Sequence, residues 1–131
     1  MTVLKLPKWN MAIGDGEPLL CIAGLNVLED LDLTVATAEH LKAVLDELKL
    51  PFIFKASFDK ANRSSIKSYR GPGLKDGLAM LAEVKQRFNV PICTDIHEVD
   101  QAEAIAEVAD LVQIPAFLCR QTDLVVAAAR A

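Results

Sequence analysis

Lys55, Lys60, Arg63, Lys67 and Arg70 crowd into residues 54–73 of a 131-residue chain, with Asp59 the only acid among them. The chain as a whole carries 14 Lys plus Arg against 18 Asp plus Glu, a formal charge of −4, so this stretch inverts the local sign. Ammonium and guanidinium groups set among the hydroxyls of Ser57, Ser64 and Ser65 and the amide of Asn62 suit a phosphate or a carboxylate. Each such charge-assisted hydrogen bond contributes about 1.5–3 kcal/mol when a charged partner is present. The plainer reading is a solvated basic loop. Lys55 ends an apolar run, where its head either snorkels to water or meets an anion, because a buried unpaired ammonium is costly.

A second constellation is Thr94-Asp95-Ile96-His97-Glu98. Residues two apart on an extended chain point to one side, so a carboxylate and an imidazole face a common pocket and can move protons near neutral pH. Asp95 is equally placed to cap the next helix. Gln113 lies between Val112 and Ile114 and, on a central strand, would be a buried amide that needs partners. His40 falls on the outer side of a helix and reads as surface.

Other chemistries lack their motifs. The chain has no GxGxxG after a strand, no GxxxxGK[ST], no GxSxG and no HExxH. Gly71-Pro72-Gly73 is a turn into a helix, whose N-terminus can still help hold an anion. The acidic balance argues against general nucleic-acid binding. Cys21, Cys93 and Cys119 form no CxxC pair and read as reduced core thiols of a cytosolic protein. No apolar run approaches bilayer length, and no export signal opens the chain, so Asn62-Arg63-Ser64 carries no weight as a glycosylation sequon.

The elements that must position these groups are periodic. Apolar runs at 3–6 and 11–13 predict a small N-terminal hairpin, and with the Gly14-Asp15-Gly16 turn this unit occupies residues 1–17. Residues 19–24 read as a strand buried on both faces. Leu33, Thr37, Leu41, Val44, Leu45 and Leu48 trace a first helix with Asp32 as N-cap. Residues 52–54 are a second strand; Leu74, Leu78, Leu81, Val84 and Phe88 mark a second helix between Gly73 and Asn89. Residues 92–95 are a third strand, Val99, Ala102, Ile105 and Val108 a third helix, 111–114 a fourth strand and 122–131 a fourth helix. Prolines 18, 51 and 91 each open a strand followed by a helix, so the chain is a single α/β domain of repeated βα units with a parallel sheet. It is either a small open sheet or half of an eight-stranded barrel. Asn26, Lys55, Ser57, Asp95, His97 and Gln113 all fall at strand carboxyl ends, the active face of such barrels, which favours the half barrel.

The blocks from Phe54 to Ser65, Tyr69-Arg70-Gly71-Pro72-Gly73, Thr94-Asp95-Ile96-His97-Glu98, the run from Gln113 to Leu124, and Gly24-Leu25-Asn26-Val27-Leu28-Glu29 together resemble 3-deoxy-D-manno-octulosonate 8-phosphate synthase. The resemblance implies a (β/α)8 barrel that condenses phosphoenolpyruvate with arabinose 5-phosphate and releases phosphate, usually as a homotetramer. It implies that Lys55, Ser57, Lys60 and Gln113 face phosphoenolpyruvate, and that Asn62, Arg63 and Ser64 hold the sugar phosphate. Asp95 and His97 would lie beside the reacting aldehyde, with Pro115, Ala116 and Phe117 along the wall and Arg120 directed to a neighbouring subunit's site. Metal-dependent members carry cysteine as a metal ligand where this chain has Asn26, so the resemblance implies the metal-independent class and no cofactor.

The family's members run on well past four βα units, so the chain alone is expected to be incomplete for catalysis. Two other functions compete. A heptulosonate 7-phosphate synthase would carry a Lys-Pro-Arg-Thr-Ser loop where this chain has Lys60-Ala61-Asn62-Arg63-Ser64. A non-catalytic half barrel that binds or regulates a partner rests on the stop at Ala131 alone.

Overall fold

The computed structural model describes residues 3–131. Its main sheet is parallel, with strands β3 (Cys21–Leu25), β4 (Phe52–Ala56), β5 (Ile92–Asp95) and β6 (Leu111–Gln113) side by side in chain order. Before it, β1 (Leu4–Leu6) and β2 (Met11–Ile13) pair antiparallel, turned by a 3-10 segment at Pro7–Trp9; of the hairpin and turn expected over residues 1–17, residues 1 and 2 lie outside the described residues. The helices α1 (Leu31–Glu47), α2 (Leu74–Phe88), α3 (Ala102–Val108) and α4 (Thr122–Arg130) follow the strands, each packing against the next.

Proline marks the strand starts for a hydrogen-bonding reason. Pro51 and Pro91 have no N–H to leave unpaired, while their carbonyls accept from Cys21 N at 2.8 Å and Phe54 N at 3.0 Å in the neighbouring strands. Alternation then sorts the faces. Phe52, Phe54, Ala56 and Ile92 join Leu45, Leu78, Leu81, Val84 and Ile105 in the buried core. Lys55, Cys93, Asp95 and Gln113 fall on the opposite side.

Four expectations need correction. β3 is an edge strand with one partner, and its residues alternate in burial, with Ile22 47 % exposed. An unbroken apolar run therefore did not mean two covered faces. The cap of α1 is Asp30, whose Oδ1 accepts from Leu33 N at 2.8 Å. Starting there, the inward stripe is Thr34, Ala38, Leu41 and Leu45, and Leu33, Val44 and Leu48 point outward. The third helix splits into a 3-10 turn at Val99–Gln101 and a short α3, which leaves Val99 half exposed. Of the cysteines only Cys93 is buried; Cys119 is exposed.

α2 matches its expected stripe and ends at Asn89, which takes the left-handed conformation at φ 49°. The hairpin is tied to the amino ends of the strands. Lys85 Nζ lies 2.9 Å from Asp110 Oδ2 and 5.8 Å from the centre of the Trp9 ring, and Asp110 also accepts from Ile92 N. Burial opposes ionisation of Asp110, but Lys85 and the Ile92 N–H outweigh it and hold its carboxyl below the ordinary range.

Gly24 lets β3 and β4 approach. A Cβ at this position would sit 2.0 Å from the Lys55 carbonyl oxygen, a backbone atom that cannot swing away. Gly24→Ala in the complete protein is expected to destabilise it by about 2–3 kcal/mol through overpacking. A urea midpoint unchanged from that of the native protein would contradict this.

Candidate active site

The strand register builds a row of polar side chains at the carboxyl end of the sheet. Gly24 is level with Lys55, Lys55 with Cys93, and Asp95 with Gln113. Asn26 and Ser57 follow directly on the last residues of β3 and β4, two positions beyond Gly24 and Lys55. Asn26, Ser57, Asp95 and Gln113 therefore form one layer, a residue from each strand end, directly above Lys55.

Short contacts knit the middle of this layer. Lys55 Nζ donates to Ser57 Oγ at 2.8 Å, and Lys60 Nζ reaches the same oxygen at 3.5 Å. Lys55 Nζ is also 3.6 Å from Asp95 Oδ1, while His97 Nε2 lies 3.2 Å from Asp95 Oδ2. Lys55 thus meets a carboxylate rather than snorkelling to bulk water. His97 stands edge-on to the Phe58 ring, centroids 5.6 Å apart, which holds the imidazole plane. Asp95 caps no helix; Glu98 and Gln101 share that role, and the Gln101 Oε1 accepts from the N–H groups of His97 and Glu98. Among the described residues two buried polar atoms of the pair make no hydrogen bond: Asp95 Oδ1, which has only the Lys55 charge at 3.6 Å, and His97 Nδ1. Unpaired buried acceptors are rare in folded proteins and mark places where a ligand or water belongs.

Burial works against ionisation of Asp95, yet the His97 and Ser57 side chains and the Lys55 charge outweigh it and hold the carboxyl at about 2. A carboxyl lowered in this way stabilises the fold above its ordinary value of 3.8, and that stabilisation disappears as pH falls through about 2. The difference corresponds to about 2 kcal/mol. Asp95→Asn is accordingly expected to be less stable than the native protein near neutral pH, with the gap closing toward pH 2; parallel urea-unfolding curves across the whole range would contradict it. The neighbouring Cys93 thiol is pushed up to about 11 by burial, which leaves it protonated and unreactive at neutral pH.

Above the row lies a cavity of about 320 Å³ lined by Lys60, Ala61, Asn62, Asp95, His97, Gln113, Pro115, Ala116 and Phe117. A second of about 330 Å³, bounded by Gly24, Asn26, Lys55 and Gln113, adjoins it through Gln113. Most of the expected site residues meet here. Four do not line either cavity: Ser57 is fully buried against the Lys55 ammonium, Arg63 curls back to donate to the Lys60 and Ala61 carbonyls, and Ser64 and Arg120 are exposed. Gln113 is exposed too, because β6 is a sheet edge rather than a central strand.

Sequence reasoning missed Phe58, Gln101 and the pairing of Asp59 with Arg70. Gln101 was findable, since Glu98-x-x-Gln101 has capping-box spacing. Arg70 grips Asp59 with both ends of its guanidinium, Nε to Oδ1 at 2.8 Å and Nη2 to Oδ2 at 2.6 Å, and this hydrogen bonding holds the Asp59 carboxyl below its ordinary range. No periodic signal links residues eleven apart across a loop.

A parallel α/β sheet with cations and an acid–imidazole pair at its carboxyl ends defines an enzyme scaffold of the strand–helix type. The chain belongs to the DAHP synthetase I family, whose profile matches residues 2–131. Within it, the chain is similar to proteins named 2-dehydro-3-deoxyphosphooctonate aldolase, another name for the octulosonate 8-phosphate synthase whose resemblance the sequence carries. It is 55% identical over 121 residues to that of Bdellovibrio bacteriovorus, covering 92% of this chain and 42% of the relative. For Hahella chejuensis the identity is 58% over 118 residues, covering 90% and 42%. For Colwellia psychrerythraea it is 52% over 130 residues, covering 99% and 46%. The chain spans less than half the length of these relatives. Among the described residues no helix is long and apolar enough to cross a membrane.

Proposed function

We propose that the complete protein condenses phosphoenolpyruvate with arabinose 5-phosphate, as a cytoplasmic enzyme of lipopolysaccharide or cell-wall sugar biosynthesis. The observation that carries this reading is the row Asn26, Ser57, Asp95 and Gln113 lying against the Lys55 and Lys60 ammonium groups, with His97 at its side. In the reaction C3 of phosphoenolpyruvate bonds to the aldehyde carbon, water adds at C2, and inorganic phosphate leaves. Two phosphates and a carboxylate call for cations; carbonyl addition and water attack call for positioned proton carriers. Lys55, Ser57, Lys60 and Gln113 would hold phosphoenolpyruvate, and Asn62, Arg63 and Ser64 the sugar phosphate. Asp95 and His97 would serve the aldehyde and its hydroxyls, and Pro115, Ala116 and Phe117 would wall the chamber.

The four βα units are read as part of a (β/α)8 barrel, with Arg120, exposed and outside both cavities, reaching a neighbouring subunit of a tetramer. Asn26, in place of a cysteine ligand, supports chemistry without a metal. Phosphate release by the complete protein given phosphoenolpyruvate and arabinose 5-phosphate tests the reading. Release with erythrose 4-phosphate but not with arabinose 5-phosphate would transfer it to the heptulosonate reaction; release with neither would end it.

A further inference from the structure

The basic loop has almost nothing to hold it except its neck. From Ala61 to Arg70 no residue is buried, and its internal ties are few: Arg63 to two nearby carbonyls and Ser65 to the N–H groups of Lys67 and Ser68. At the neck the contacts are dense. Lys60 N donates to Arg70 O at 2.6 Å and Gly73 N to Phe58 O at 3.1 Å, while the bidentate Arg70–Asp59 pair closes the gap between the two legs. A Cβ on Gly71 would fall 2.3 Å from the Phe58 carbonyl oxygen, so the legs are in direct backbone contact. Phe58 also meets His97 edge-on. The neck thus joins the loop's cations to the Asp95–His97 pair through one residue.

Exposed ion pairs ordinarily add little stability, and Arg70 is half exposed. Planar, two-point geometry is instead what fixes orientation. We propose that Asp59 and Arg70 are positioning residues, a clasp that sets Lys60 and Asn62 over the Asp95–His97 pair so that the loop takes up a phosphorylated substrate without first having to order itself. This rests on the phosphoryl-substrate reading of the site given above. A loop that must order on binding loses affinity, whereas the chemistry after binding is untouched.

The test is a double-mutant cycle of Asp59→Asn and Arg70→Gln in the complete protein, with arabinose 5-phosphate varied at saturating phosphoenolpyruvate. Each single variant is expected to raise KM for the sugar phosphate about tenfold with kcat within about threefold, and the double variant to be no worse than either single. Thermal midpoints should stay within about 2 °C of native, as befits a surface pair. Unchanged KM in either single variant, losses that multiply in the double, or a fall in kcat alone would overturn the clasp. Limited trypsin digestion separates failure of the clasp from failure of the substrate reading. Asp59→Asn keeps every tryptic site, and cleavage after the exposed Lys67 is expected to be about tenfold faster than in the native protein. If the native protein turns over neither sugar phosphate, the digestion decides alone: faster cleavage upholds the clasp and an unchanged rate overturns it.

Discussion

Lys60→Met in the complete protein is expected to lower kcat/KM for phosphoenolpyruvate by about a hundredfold. Lys60 Nζ stands 3.5 Å from Ser57 Oγ and lines the cavity of about 320 Å³ beside Asn62, Asp95 and His97. It comes from the loop, whereas Lys55 comes from the strand, so one substrate anion can be gripped from two directions. Lys55 already has Ser57 and Asp95 as partners. Among the described residues the Lys60 ammonium has only the long contact to Ser57, which leaves most of its hydrogen-bonding capacity for a ligand. Losing one or two charge-assisted hydrogen bonds at about 1.5–3 kcal/mol each corresponds to a ten- to several-hundredfold effect. Methionine keeps the length and apolar stem of the side chain, so folding should be spared. Initial-rate assays of phosphate release measure the effect; turnover within about twofold of native would remove Lys60 from the site.

His97→Ala should have an effect of similar or greater size, by about 10²–10⁴ in kcat, the range typical of a positioned proton carrier. The imidazole is held by three constraints at once: Nε2 against Asp95, the ring edge-on to Phe58, and the backbone N–H on Gln101. Its Nδ1 is buried and without a hydrogen-bond partner among the described residues, and cavities lie on both sides of the residue. Deleting the side chain therefore opens a space that small solutes can reach. Added imidazole is expected to restore part of the lost rate in His97→Ala and none in Lys60→Met. Failure of imidazole to act, with substrate affinity falling instead of turnover, would make His97 a support for Asp95 rather than a proton carrier.

The two predictions draw on different kinds of legibility. Lys60 was visible as an anomaly of charge, a cation in a basic loop of an acidic chain, which required no three-dimensional knowledge. The Asp95–His97 pair was visible as a two-residue spacing on an apolar strand. What remained hidden were contacts made across the loop. Asp59 looked like the lone acid of a basic stretch, and Arg70 had no role; the fold brings them together because the chain reverses at Gly71 and Gly73 and returns to the strand end. The burial of Gln113 was left conditional for a related reason: an amide between two apolar residues is buried only if its strand has neighbours on both sides, and in this sheet β6 has one.

Sequence by itself determined the order of strands and helices, the prolines that open them, and which side of each strand every polar residue occupies, because these depend on local periodicity and on the hydrogen-bonding limits of single residues. Tertiary structure alone decided the level of each strand against the next, and with it the row of Asn26, Ser57, Asp95 and Gln113. It also decided the cap at Asp30, the outward turn of Leu33 and Val44, and the Asp59–Arg70 clasp. The physical reason is that register, edge position and loop closure come from contacts between residues far apart in the chain, which no local pattern encodes.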